Sequence, residues 1–228
     1  MKVFIPMFFL LMSCATTKQY PKHWWKPVAK KDLQWWEIDP QAAKKGEVIL
    51  SKRNELGILS NFSHAPFKLD GKTYPNIEAL WQSMKYPKSK NDIRFKHKKW
   101  PHTRIQVEKM SGFEAKTAGD YGTKVMKELQ IDWVTYKGER MIYRTSQKGT
   151  HYQIIRRAMI EKLKQNPKVK KVLLSTGDLS LRPDHHTKAN DPPAWKYFQI
   201  WMEIRNDLQQ KRTPSSSQAS EAAASRRM

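Results

Sequence analysis

Apolar positions recur at helical or strand spacing along most of the chain between residues 46 and 210, and each run predicts an element. Ile77, Leu80, Trp81 and Met84 fall on one stripe at about 100° per residue, which predicts an amphipathic helix. Pro75 and Asn76 stand where a helix start is expected, with Asn76 as the cap. Just upstream, Phe67-Lys68-Leu69 and Lys72-Thr73-Tyr74 flank Asp70-Gly71, a strong two-residue hairpin signal. Val125, Met126 and Leu129 are helically spaced, and Ile155, Met159 and Leu163 predict a basic amphipathic helix over Tyr152 to Gln165. Asn166-Pro167 opens a further helix through Val169, Val172 and Leu173, with Gly177 as its stop. A last helix over Ala194 to Gln210 places Phe198, Trp201, Ile204 and Leu208 on its inner face. Residues 46–210 are enough chain for one sizeable core, and no internal repeat interrupts them.

The two ends follow other rules. Met1-Lys2 precedes an apolar run, Val3 to Met12, of about ten residues, too short for a helix to span a bilayer but suited to a signal-peptide core. Leu11-Met12-Ser13-Cys14 resembles a bacterial lipobox, so residues 1–14 read as a signal peptide with Cys14 as the lipid attachment point. That reading places the protein in a bacterial cell envelope, lipid-anchored. The alternative is a cytoplasmic protein with an apolar N-terminus. With one cysteine in the chain, intramolecular disulfides are excluded. Residues 15–45 read as a tether in which Trp24-Trp25 and Trp35-Trp36 sit among lysines; these pairs suit covering the domain first, then a membrane interface, then stacking on bases or ligands. Residues 211–228, rich in Ser, Ala and Gln, read as a disordered tail.

Charge narrows the partner class without choosing within it. Lys and Arg number 43 against 21 Asp and Glu, a formal net charge of +22. An imbalance of that size argues for a phosphorylated ligand, nucleic acid or acidic lipid. The basic residues are dispersed, and no helix-turn-helix, zinc-finger or RNA-recognition motif is present, so nucleic-acid binding would be generic. Lys88, Lys90, Arg94, Lys96, Lys98 and Lys99 form a basic stretch that suits a phosphate-facing loop. His97 and His102 lie in it without a cysteine or carboxylate at ligand spacing, so no metal is expected.

Glu78, Gln82 and Lys85 lie together beside the buried stripe of the first predicted helix. A carboxylate, an amide and an ammonium at that spacing suit either the edge of a pocket or a solvated helix face. The stretch around them resembles the YbiA-like family, also called NADAR, whose F-S-N-F turn, D-G-x-x-[WY]-P hairpin and E-H-x-x-Q-x-x-K helix correspond to Leu59-Ser60-Asn61-Phe62, Asp70 to Pro75 and Glu78 to Lys85. Leu59 and Ala79 depart from the family's Phe and His.

The resemblance implies a single, predominantly helical α+β domain and N-glycosidase chemistry on ribosylated phosphorylated bases or ADP-ribose adducts, with no cofactor. It implies a catalytic set of Glu78, Trp133 and Asp191. Trp133 stands eight residues before Met141, as a family tryptophan does before its helical V-M, and Asn190-Asp191 with Trp195 match the family's N-D-x-x-W-G loop. In that register about fourteen residues, roughly Ile142 to Ile155, are an insertion. Asp120 replaces an arginine of the family's A-x-x-x-G-R segment, and the Gly-rich stretch that normally follows Trp195 is absent.

Cleavage at ribose C1′ builds positive charge on the sugar and negative charge on the departing base, so a carboxylate beside the sugar is required. Glu78 is expected there. Asp191 would act as the second acid or hold the ribose hydroxyls, and Trp133 would stack on the base. Asn61, Gln82 and Lys85 would orient ribose or phosphate, with Trp195 and His185 as further ligand contacts; surface histidines are the other reading of His185-His186. Two further classes stand beside this one: a lipoprotein that binds ADP-ribose or a nucleotide without turnover, and a basic envelope protein that binds polyanions.

Overall fold

The computed structural model describes residues 19–97 and 99–211. The expected signal peptide, Cys14 and the tail beyond Lys211 lie outside the described residues.

The architecture is α+β and predominantly helical. Six helices, α1 (Ile77–Ser83), α2 (Arg104–Val107), α3 (Gly112–Glu128), α4 (Thr150–Gln165), α5 (Pro167–Ser175) and α6 (Tyr197–Gln210), pack around three two-stranded sheets among the described residues. Strand β1 (Glu47–Ile49) runs parallel to β6 (Ser180–Arg182), which ties the start of the domain to its end. Strands β2 (Phe67–Leu69) and β3 (Lys72–Tyr74) form the expected hairpin. Asp70 and Gly71 both adopt positive φ, 48° and 84°, as a tight two-residue turn requires. A second hairpin, β4 (Trp133–Tyr136) with β5 (Glu139–Ile142), turns at Lys137-Gly138 with φ 51° and 92°, and was not foreseen. Met141, matched in sequence to a helical V-M, therefore lies in a strand; a lysine in a left-handed position carries little turn signal.

Helix α1 is short and central. Its cap is Asn76, whose side-chain oxygen accepts from the Ala79 backbone amide at 2.7 Å, and all seven of its residues are buried. It packs against α3, α2 and α4. The contact with α3 is close because α3 turns small residues toward it. A Cβ on Gly119 would lie 1.7 Å from Gln82 Oε1, and one on Gly112 would lie 2.5 Å from the Phe62 backbone. Ser111 opens α3 through a reciprocal capping box with Glu114. Helix α4 begins at Thr150, two residues before the expected start. Helix α6 begins at Tyr197, because Pro193–Trp195 form a separate 3-10 turn.

Residues 20–45 form a strap on the domain rather than a tether. Trp24 is buried in the main core, and its indole Nε1 donates to Glu55 at 2.7 Å. Trp25 donates to the Glu47 carbonyl at 2.9 Å, and Tyr20 packs against both rings, tilted on Trp24 and edge-on to Trp25. The basic stretch after α1 also differs from a phosphate-facing loop at its centre. Arg94 is fully buried, ion-paired with Asp92 and bonded to the Met84 carbonyl and Thr135 Oγ1 at 2.7 and 2.6 Å. It closes the C-terminal end of α1 against β4.

Candidate functional site

A cavity of about 310 Å³ opens beside α1, within the size range of small-molecule sites. Glu78, Gln82 and Lys85 form its floor. All three are buried, so the flank of the helix is a pocket wall and not a solvated face. Gln82 Nε2 donates to Glu78 Oε1 at 2.6 Å, which fixes the amide orientation and turns Gln82 Oε1 away from the carboxylate. Lys85 Nζ donates to Thr123 Oγ1 at 2.8 Å and to the Gly119 carbonyl at 3.1 Å.

Burial pushes the Glu78 carboxyl above its ordinary value, opposed by the Gln82 hydrogen bond and the nearby Lys85 charge. Burial likewise lowers the Lys85 ammonium to about 8, against the pull of Glu78 and Asp120. Both shifts run toward neutral forms. A carboxyl raised in this way is a stronger proton acceptor than an ordinary one.

The walls are aromatic and cationic. Trp81 and Trp195 lie with ring centroids 6.1 Å apart, and Tyr143 stacks on Trp195 at 6.4 Å. The Arg144 guanidinium sits 5.3 Å from the Tyr143 ring and 5.5 Å from Trp195. Opposite them are Asn61 and Phe62 from the turn after Leu59, with Lys52 Nζ 5.5 Å from the Phe62 ring. Lys52 also ion-pairs with Asp184, which is buried and accepts from His185 Nδ1 at 3.0 Å. His185 stacks on Tyr197 with an interplanar angle of 12°. Lys116 and Asp120 form an ion pair at the exposed rim.

Four buried polar atoms of this lining have no hydrogen-bond partner among the described residues: Asn61 Oδ1, Trp195 Nε1, the Tyr197 hydroxyl and Gln82 Oε1, the last turned against Gly119 of α3. Orphaned buried polar groups are rare in folded proteins and each calls for a partner. An acceptor on Asn61, a donor on Trp195 and the Tyr197 hydroxyl around a carboxyl match a polar, hydroxyl-bearing ligand.

Of the residues expected from sequence, the structure brings together Glu78, Asn61, Gln82, Lys85, Trp195 and His185. It does not bring Trp133 to them. That ring lies at the start of β4, 4.8 Å from the Arg94 guanidinium and 4.3 Å from that of Arg140, and two cations on its faces account for its placement. Asp191 is also away from the cavity. Its carboxylate accepts from the Lys188 backbone amide at 2.7 Å and closes a surface turn. The lining carboxylate besides Glu78 is Asp120, at the position where an arginine was expected. Tyr143 and Arg144, which lie in the expected insertion, complete the aromatic wall. Nothing local marks them in the sequence, because β5 carries them to the site through its pairing with β4. Among the described residues no group of three or more His, Cys, Asp or Glu side chains is arranged to hold a metal.

The turn carrying Asn61 is held from behind by Lys162, a fully buried lysine of α4. Its Nζ donates to the Ser60 carbonyl at 2.8 Å and to Ser63 Oγ at 2.7 Å. Burial lowers its ammonium to about 7. The folded state therefore holds this proton less tightly than the unfolded chain. The stability contributed by this group rises as pH increases from about 7 toward the ordinary lysine value of 10.5, and is lost as pH falls through that window. Urea unfolding of the protein and of Lys162→Met is expected to show a stability difference that shifts in favour of the unsubstituted chain on going from pH 7 to 9.5. The slope should approach about 1.4 kcal/mol per pH unit at most. A pH-independent difference would contradict the buried-ammonium account.

The two close-packed glycines of α3 separate stability from binding. At Gly119 the added methyl meets the Gln82 side chain from Oε1 back to Cγ, which must shift toward the cavity and give up its bond to Glu78. Gly119→Ala should lower the melting temperature less than Gly112→Ala, because a side chain yields where backbone does not and better helix propensity, of up to about 1 kcal/mol, offsets part of the overpacking. It should weaken ligand binding about tenfold, roughly the 1.4 kcal/mol of one displaced hydrogen-bonding group. At Gly112 the methyl meets Phe62 backbone, so Gly112→Ala should cost about 1–3 kcal/mol of stability. Equal thermal shifts for the two variants would refute this division.

No family model matches the chain, and no curated protein matches it. Among solved structures, the NMR structure of the E. coli protein YbiA is similar to it, with 21% sequence identity and a TM-score of 0.45 over 72% of this chain and 86% of that chain.

Proposed function

We propose that the cavity is the active site of an N-glycosidase that hydrolyses the bond between a ribose C1′ and a base in a phosphorylated ribosyl compound. The observation that carries the reading is the buried Glu78 carboxyl in the cavity floor, with the orphaned acceptor of Asn61 and the orphaned donor of Trp195 in the same lining. Asn61 Oδ1 would accept a ribose hydroxyl proton. Trp195 Nε1 would donate to an oxygen or ring nitrogen of the ligand, and the Trp81, Tyr143 and Trp195 rings provide stacking surface for the base. Lys52, Lys116 and Arg144 are the cations within reach of a phosphate.

The reaction follows from this placement. The C1′–N bond breaks with its electron pair leaving on the base. The ionised Glu78 carboxylate stabilises the positive sugar and takes a proton from the water that attacks C1′. The departing base takes a proton from the Lys85 ammonium, whose hold on it burial has weakened, and the proton that Glu78 took from water returns to the resulting amine. Asp191 and Trp133 have no part in this scheme.

A second reading, binding without turnover, has one observation in its favour. Asp120 places a carboxylate at the rim where it opposes a phosphate, although Lys116 neutralises it. The test is a panel of ribosylated pyrimidine phosphates and ADP-ribosyl nucleosides offered to the protein and to Glu78→Gln. Free base released by the former and not by the latter supports hydrolysis. Saturable binding by both proteins without release supports the binding module.

A further inference from the structure

Trp35 is 93% exposed, far more than the other large apolar side chains among the described residues. A loose segment would explain such exposure, but this one is fastened. Trp35 is at the tip of a turn closed by Glu37 N to Gln34 O at 2.9 Å. Arg53 grips Glu37 through two hydrogen bonds of 2.6 Å and also reaches the Asp32 carbonyl. Ile38 N bonds the Asp184 carbonyl at 2.8 Å, and Glu37 bridges to His185. The indole is therefore held outward by its own scaffold.

The turn borders a groove of about 660 Å³ lined by His23, Lys26, Lys31, Asp32, Gln34 and Arg53. Lys26, Lys30 and Lys31 are exposed, and none of them has an ion-pair partner among the described residues. His23 brings the start of the strap to the same groove. The chain before it carries the apolar run Val3–Met12, and the eight residues from Cys14 to Lys22 span at most roughly 27 Å. Any apolar surface that takes up that run keeps this groove within reach.

We infer that the Trp35 turn, with Lys26, Lys30 and Lys31, docks on the headgroup region of an anionic phospholipid bilayer. An indole held outward suits the boundary between headgroups and acyl chains, and the ammonium groups around it complement anionic headgroups. The inference does not rest on the glycosidase reading, nor on acylation of Cys14. It has a consequence for the cavity, because Lys52 lies both in the cavity lining and 4.8 Å from the Trp36 ring. Docking would bring the cavity mouth close to the bilayer surface.

The test uses the full chain with Cys14→Ser and Trp35→Cys, labelled at position 35 with an environment-sensitive fluorophore. It is mixed with vesicles of phosphatidylglycerol and phosphatidylcholine, with pure phosphatidylcholine vesicles, or with a single-stranded oligonucleotide. A blue shift and quenching by lipid-borne nitroxide on the anionic vesicles alone are expected. Lys30→Gln with Lys31→Gln should weaken binding to anionic vesicles by about tenfold or more, at roughly 1 kcal/mol for each lysine. Co-sedimentation with no change at position 35 would overturn the inference, since the N-terminal run would then hold the protein alone. A response to the oligonucleotide and not to vesicles would overturn it in favour of nucleic acid. Unchanged thermal melting of both variants is the folding control.

Discussion

Trp24→Ala is expected to destabilise the protein by about 3–5 kcal/mol, enough to leave much of it unfolded at physiological temperature. The side chain is buried in the main core, its Nε1 bonds Glu55, and its ring packs on Tyr20 and Trp25. Removing it leaves a cavity between the strap and β1 and takes one hydrogen-bond donor from Glu55, which keeps His23. Trp35→Ala, on an exposed ring of the same strap, should change stability by less than about 0.5 kcal/mol. Chemical unfolding of the two variants side by side measures the contrast. A tether would give two small effects, and a strap that completes the core gives one large and one small. Truncation at Lys30 would likewise remove Trp24 and should yield poorly folded protein, whereas a chain starting at Gln19 should fold.

Glu78→Gln is expected to lower turnover by about 10²–10⁴-fold while binding of substrate changes little, because the amide keeps the shape and the Gln82 contact but cannot take a proton. The pH profile should be bell-shaped. Its acid limb is set by the Glu78 carboxyl, displaced upward from 4.5 by burial, and its alkaline limb lies near the Lys85 value of about 8. Lys85→Met should abolish the alkaline limb and push the acid limb higher, since the lysine charge, with the Gln82 hydrogen bond and the Lys116 charge, holds the Glu78 carboxyl down. A profile flat from pH 5 to 9, or a Glu78→Gln variant with normal turnover, would remove this residue from the chemistry.

What could be read from the sequence follows the range of the interactions that determine it. The first hairpin and α1 are local: the Asp70-Gly71 turn, the Asn76 cap and a four-residue apolar stripe specify them without help from the rest of the chain. The floor of the cavity was legible for the same reason, because Glu78, Gln82 and Lys85 are ordered by the pitch of one helix. The walls depend on distant pairings. Tyr143 reaches Trp195 because β5 pairs with β4, and Lys52 reaches Phe62 while anchored on Asp184. Trp133 and Asp191 show the opposite error. Each has the residue type that glycosidic chemistry asks for, but two guanidinium groups hold the indole and a surface turn takes the carboxylate. Trp24 and Trp35 look alike in sequence, each in a Trp-Trp pair among lysines. Only the partners Glu55 and Tyr20 separate a core residue from an exposed one.

The central claim, that water attacks a ribose C1′ under the control of Glu78, is tested most directly by running the reaction in water enriched in oxygen-18 and locating the label by mass spectrometry. The account predicts one labelled oxygen on the ribose C1′ hydroxyl, none on phosphate and none on the released base, with the signal lost in Glu78→Gln. Label on phosphate, or product formation that survives the substitution, would contradict it.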